Sequence, residues 1–191
     1  MKESFDVLIV GVGGQGTILA SNVLGEACLQ EGLPVRGAET HGMSQRGGSV
    51  ETHIRIGGQY GPLISPGTAD LLISFDLLEA VRYHHFLKED GAVVTNTGMI
   101  VPTSVFQQNL EVPTEEALFA QLAGRTVIAV DAAGLAEEAG SILSQNVVML
   151  GAASDYLPFS VESLKNAIAG LVPPKTVEIN LKAFDLGRSS V

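Results

Sequence analysis

Apolar residues recur along this chain in two rhythms. Nearly unbroken, β-rich apolar runs at 5–10, 69–75, 91–95 and 126–130 predict strands buried on both faces. Three-to-four spacing predicts helices. Over 17–31 it gathers Ile18, Leu19, Val23, Leu24, Ala27 and Cys28 into one stripe, and Gly32-Leu33-Pro34 ends it. Further helices are predicted over 77–87 with Asp76 as cap, 113–122 with Thr114 at the N-cap, 132–139, 146–156, 161–171 and 176–184. Prolines at 158, 173 and 174 punctuate the last three, and Gly187 is expected to close the final one.

Residues 34–38 predict a short second strand, so that strand, helix and strand form a β-α-β unit with parallel strands. Farther on, Val50, Thr52, Ile54 and Ile56 alternate with Glu51, His53 and Arg55. That alternation predicts a half-exposed, antiparallel strand with His53 on its solvated polar face. No repeat, linker or low-complexity segment interrupts the order. The expected fold is α/β: a Rossmann-like open, mostly parallel sheet of about six strands, helices on both faces, and a helical C-terminal segment in one domain, 1–191.

The first strand stops at Gly11, and Gly11, Gly13 and Gly16 satisfy G-x-G-x-x-G between a strand and a helix. Glycines permit a tight turn and a close ligand approach, while amides at a helix N-terminus attract an anion, usually phosphate. Gly11, Gly13, Gly14, Gln15, Gly16 and Thr17 are therefore the candidate nucleotide-binding set. The same glycines also suit a turn that merely packs helix on sheet. If the nucleotide were NAD, Glu39, 23 residues after Gly16, stands where an acid would receive the ribose hydroxyls.

Composition narrows the partners. Acidic residues outnumber basic ones 21 to 11, which disfavours a nucleic-acid or anionic-membrane surface. Cys28 is the single cysteine, so the chain cannot close an internal disulfide or ligate an iron–sulfur cluster, and it is expected as a small core residue. His84 and His85 are adjacent and face different ways on a helix, a poor metal pair. With no secretory n-region and no uncharged apolar run of about 18 residues, a cytoplasmic, soluble protein without a bound metal of its own is expected.

Residues 40–49 carry an imidazole, a guanidinium and several amides or hydroxyls among glycines, groups too costly to bury unpartnered and more often found serving a site. Arg46 between Gln45 and Gly47-Gly48 can fork onto a phosphate or carboxylate; a solvated ion pair for Arg46 and a local backbone bond for His41 are the plainer readings. Asn96-Thr97-Gly98 forms a polar turn at a strand's C-terminal end, where open α/β sheets bind ligands.

Taken together, GVGGQGTILASNVLGEA, HGMSQRGGSVETHIRIG, ISPGTADLLISFDLLEAV, NVVMLGA and NLKAFDLG resemble the gamma-type subunit or domain of the 2-oxoacid:ferredoxin oxidoreductases. The stretch HGMSQRGGSV is similar to the small, beta subunit of the indolepyruvate branch, with Ser44 where alanine is more usual. The resemblance implies oxidative decarboxylation of a 2-oxoacid, an arylpyruvate such as indolepyruvate, on thiamine diphosphate. Electrons pass through iron–sulfur clusters to ferredoxin and the acyl group to coenzyme A. It also implies that thiamine diphosphate, Mg2+ and the clusters sit on a large alpha subunit, that ferredoxin is reached through that hetero-oligomer, and that this chain is inactive alone. On that reading the crevice formed by residues 13–16, by His41, Gln45, Arg46, Gly47 and Gly48, and by Asn96 and Thr97 completes the active site and helps hold coenzyme A or substrate, or else serves subunit contact; no catalytic residue is assigned. The competing readings are a free-standing NAD-dependent dehydrogenase and a non-catalytic Rossmann nucleotide-binding module. Neither accounts for the Arg-Gly-Gly loop.

Overall fold

The computed structural model describes residues 4–41, 48–58 and 61–191; of the loop candidates, Gln45, Arg46, Gly47 and the side chain of His41 lie outside the described residues. Chain order is β1 (Ser4–Val12), α1 (Thr17–Gln30), β2 (Val35–His41), β3 (Ser49–Gly57), β4 (Ala69–Ser74), α2 (Leu77–Tyr83), β5 (Leu87–Asn96), α3 (Thr103–Gln107), α4 (Glu115–Gln121), β6 (Thr126–Val130), α5 (Ala132–Ala139), α6 (Gln145–Ala153), α7 (Val161–Leu171) and α8 (Val177–Ser189).

Among the described residues the strands form one sheet in the order β2-β3-β1-β4-β5-β6. Strands β1, β4, β5 and β6 pair in parallel, whereas β3 pairs antiparallel with both β1 and β2. The expected β-α-β unit is therefore split. β1 and β2 run the same way, but β3 lies between them.

One sheet face packs Val7, Ile9, Leu71, Ile73 and Val94 against α1, α5, α6, α7 and α8; the other packs Leu8, Val10, Leu72 and Val93 against α2 and α4. This is what near-continuous apolar strands require, since both of their faces must be roofed.

Three expectations yield to tertiary packing. β3 is not half-exposed: His53 is 3% exposed and Arg55 9%. His53 accepts the Ile64 amide at Nδ1 (3.1 Å) and meets Phe86 edge-on, so the segment after β3 folds back over the polar face that alternation assigned to solvent. Gly187 does not end the last helix, which runs to Ser189. α2 also stops earlier than residue 87. His84 and His85 tighten its end into a 3-10 turn through Nδ1 contacts with the carbonyls of Val81 and Arg82, and Leu87 is drawn into β5 beside Ala69.

Cys28 is fully buried, and burial, aided by the nearby Glu31 charge, pushes its thiol up to about 12. It stays a protonated, inert core group. Glu31, the C-cap of α1, accepts the Ser160 amide and the Ser163 hydroxyl, both at 2.7 Å, pinning α1 to the start of α7. These donors hold its carboxyl below the ordinary value of 4.5. A depressed folded-state pKa contributes stability above the unfolded value that is lost as pH falls through the folded one. Glu31→Gln is thus expected to lower Tm at neutral pH, with the gap to wild type closing below about pH 4.5 in paired thermal melts. A gap independent of pH would show the charge to be irrelevant.

Candidate functional site

The C-terminal ends of β1, β4, β5 and β6 meet at one end of the sheet, and side chains from the turns beyond them lace those ends together. β1 ends at Val12, and the turn 13–16 leads into α1, whose N-cap is Gly16 with φ +82° and no side-chain cap. The glycines have distinct reasons. A Cβ at Gly11 would come 2.8 Å from Gln15 Oε1 and 3.2 Å from Phe75 Cβ, and one at Gly16 would come 2.5 Å from Asn146 Nδ2. Gly14, at φ +107°, faces open space. Of these three, Gly14 alone leaves room for an approaching ligand.

Gln15 accepts the Val12 amide at Oε1 (2.7 Å) and donates from Nε2 to the Phe75 carbonyl (3.1 Å). Asn96 donates to that same carbonyl (3.2 Å) while its Oδ1 accepts the Ala132 amide (3.2 Å), and Asn146 donates to Gly16 O (3.3 Å). Three amide side chains thus tie β1, β4, β5, α5 and α6 at one point. Asp76, fully buried, accepts the amides of Leu78 and Glu79 at Oδ1 and of Ile100 at Oδ2, fixing the 98–100 segment as a wall. Burial pushes its carboxyl above the usual aspartate value, against the pull of the three amides.

Inside this frame lies a cavity of about 370 Å³ lined by Gly14, Gln15, Gly16, Phe75, Asn96, Gly98, Ile100, Ala132, Ala133, Leu143, Gln145, Asn146 and Met149, among others. No charged side chain is among the described residues that line it. Its electrostatics come from backbone. Gly16 begins α1, Ala132 and Ala133 open α5, and Gln145 and Asn146 open α6, so three helix N-termini face one apolar-floored space. Each helix end carries roughly half a positive charge from its aligned peptide dipoles, offset at α5 by the Asp131 carboxylate that caps it through the Gly134 amide. The arrangement suits an anion, with a neighbouring apolar or ring-bearing group over Phe75 and Met149.

Of the sequence candidates, Gly14, Gln15, Gly16 and Asn96 line this cavity. Gly11, Gly13 and Thr17 support it from beneath: Thr17 is buried, and the Gly13 amide donates to Gly48 O (2.9 Å), joining the glycine turn to the end of the 40–48 loop. Thr97 donates its amide to Val130 O and holds β5 to β6. Glu39 does not share the cavity. It lines a separate groove beside α1, where Ser21 donates to its carboxylate (3.3 Å), so the acid and the glycine turn open into different spaces.

The sequence reading missed Gln145, Asn146, Ile142, Leu143 and Met149. One signal was there: a polar Asn146 at the head of a helix whose next seven residues are all buried. An amide placed so must find a partner, and it finds Gly16.

Residues 6–190 match the family model for pyruvate ferredoxin/flavodoxin oxidoreductase. An indolepyruvate oxidoreductase subunit IorB from Thermococcus kodakarensis is 44% identical, covering 98% of this chain and 95% of its own, and the one from Archaeoglobus fulgidus is 42% identical, covering 95% and 92%. Among solved structures, 2-oxoglutarate:ferredoxin oxidoreductase from Magnetococcus marinus, with 2-oxoglutarate, coenzyme A and succinyl-CoA bound, shares the fold. It has TM-score 0.75 and 24% identity, and the match covers 100% of this chain and 31% of that longer chain.

Proposed function

The chain belongs to the pyruvate ferredoxin/flavodoxin oxidoreductase family, and on that footing we propose that it is the small subunit of an arylpyruvate:ferredoxin oxidoreductase whose cavity holds the phosphate-bearing part of coenzyme A. The observation that carries the ligand class is the convergence of three helix N-termini on an otherwise uncharged cavity. Such a space stabilises phosphate by backbone dipoles, about 0.3–1 kcal/mol from each terminus. The solved Magnetococcus enzyme, which holds coenzyme A, lends the identity of the anion, and the relatives named for indolepyruvate lend the oxoacid.

An iron–sulfur cluster, or a Mg2+ ion of the kind that carries thiamine diphosphate, finds no donor set among the described residues. The chain's one cysteine is buried and protonated, and among the described residues no trio of His, Cys, Asp or Glu can hold a metal. We assign those groups, and the passage of electrons to ferredoxin, to a large alpha subunit in a hetero-oligomer. The role of this chain is to bind and orient. Gly14 and the first turn of α1 receive the anion, Asn96 and Asn146 keep the cavity walls fixed, and Arg46, two residues before Gly48 in sequence, adds the cation the cavity lacks. His41, Gln45 and Gly47 belong to that same loop, and Thr97 backs the wall.

Gln145→Glu puts a carboxylate at the mouth of α6 without filling the cavity. In the assembled enzyme the KM for coenzyme A is expected to rise about five- to tenfold, worth about 1 kcal/mol of repulsion, while turnover at saturating coenzyme A changes little. Dye reduction with indolepyruvate and with pyruvate, scanned over coenzyme A, reads both the cavity and the oxoacid. An unchanged KM would remove coenzyme A from this cavity.

A further inference from the structure

On the face of the sheet that α1 covers, β2 is roofed only in part: Val35 packs against the core, and the strand beyond it is largely open. β3 follows β2 after seven residues, too few for the dozen or more that a helical crossover needs. Arg36, Gly37, Glu39 and Thr40 are exposed, and beside them runs a trough of about 500 Å³. Its floor is the sheet at Val35, Gly37, Thr52 and Ile54; its wall is α1 from Ser21 to Leu29, a length of about 12 Å, or two helical turns. Leu29, 64% exposed, and Leu171, 40% exposed, stand along it.

Three features show that the trough is shaped for an occupant. Gly25 lies mid-helix on the wall with nothing within 4 Å of where a Cβ would be, so no contact within the chain calls for a glycine there. Gly37 lowers the floor opposite it. The Thr52 hydroxyl, on a residue 1% exposed and on the same sheet face as Ile54, is the one buried side-chain polar atom without a hydrogen-bond partner among the described residues. A buried hydroxyl left unpaired is costly, and because Thr52 lies in the trough floor, a small shift of that floor around a seated occupant would bring the hydroxyl within its reach.

We propose that a helix of the large partner subunit seats in this trough alongside α1, taking the position that a doubly wound sheet fills with its own crossover helix. The inference rests on the reading of this chain as one subunit of a hetero-oligomer. The sheet face beside α1 calls for a helix, since a strand would add to the edge of β2 instead of lying over its face. The seated helix presents a small or short polar residue at Gly25 and Thr52, apolar residues toward Leu29 and Leu171, and a Lys or Arg toward the carboxylates of Glu26 and Glu39 at the rim. The chain's formal net charge of −10 favours that basic complement.

The test couples assembly to folding. Gly25→Leu extends into the trough from a position where a Cβ meets nothing within 4 Å, so the isolated chain is expected to melt at or above the wild-type temperature. Its Kd for the large subunit, read by biolayer interferometry, is expected to rise at least about tenfold. Thr52→Val, which keeps the shape and removes the hydroxyl, is expected to weaken binding about two- to fivefold. Wild-type affinity in both variants overturns the proposal. So does loss of self-association in the isolated Gly25→Leu chain with the large subunit still bound normally, which would make a second copy the occupant. The KM for coenzyme A of the Gly25→Leu complex, driven together with excess large subunit, should stay at the wild-type value, because the trough and the crevice are separate spaces. If the wild-type chain captured no large subunit at all, the subunit reading itself would fall, and this proposal with it.

Discussion

Replacing Gly187 by alanine is expected to destabilise the chain by about 3 kcal/mol or more, a fall in Tm of about 10 °C for a domain of this size. α6 and α8 cross backbone on backbone. A Cβ at Gly187 would lie 2.0 Å from Val148 O, and one at Gly151, on the other helix, 2.1 Å from Phe184 O. Neither obstacle is a side chain that can rotate away, so the helices must separate and expose the fully buried Phe184, Val148 and Leu150 between them. Gly170→Ala in α7 is the control. A Cβ there meets nothing within 4 Å, and the better helix propensity of alanine is expected to leave stability unchanged or raise it by up to about 1 kcal/mol. Paired thermal melts and urea titrations read both. A shift of less than about 2 °C for Gly187→Ala would mean that the helix pair is far more compliant than its geometry implies.

At the opposite end of the sheet, Arg55→Met is expected to cost about 3–5 kcal/mol. Arg55 forks onto Asp6, Nε to Oδ1 and Nη2 to Oδ2 at 2.9 Å each, and its remaining arm donates to Gly61 O. Asp6 is 4% exposed, so the lone variant strands a carboxylate inside the protein. The double variant Asp6→Leu/Arg55→Met, which removes both charges, should recover most of the loss, since an apolar pair of like volume often serves a core as well as a buried ion pair. Acid should narrow the gap between wild type and the single variant by neutralising the orphaned carboxylate. Additive losses in the double variant would show that the two side chains act independently. The second ion pair of this end, Lys88 with Asp70, is joined to the first through the Asp6 amide, which donates to Asp70 Oδ2, so Asp70 variants should not be additive with either change.

Legibility followed the locality of the physics. The bounds of β6, α5 and α7 agree with their sequence patterns to the residue, and Asp76 and Thr114 cap as their positions predict, because propensity, periodicity and caps act over a few residues. What failed was decided by distant segments. Alternation in β3 gave the correct antiparallel pairing but the wrong environment for His53, because the residues that bury it, Ile64 and Phe86, arrive from beyond the strand. Gly187 looked like a stop signal because glycine ends helices far more often than it packs inside them. Its reason is Val148, 39 positions earlier.

The candidate site divided in the same way. The glycine turn was visible as a local motif. Its cavity was not, since one wall comes from α6, more than 120 residues downstream, and the charge that matters comes from helix ends whose convergence no single stretch contains.

The single backbone bond from the Gly13 amide to Gly48 O carries one more implication. It makes the glycine turn and the polypeptide leading into β3 share one donor and one acceptor. Any coupling through it is reciprocal: if an anion at the proposed site changes how firmly Gly48 is anchored, a contact that pulls on Gly48 changes anion affinity by the same factor. On the proposed reading, occupancy of the crevice and the anchoring of Gly48 would be two readings of one equilibrium, conjugate through one hydrogen bond.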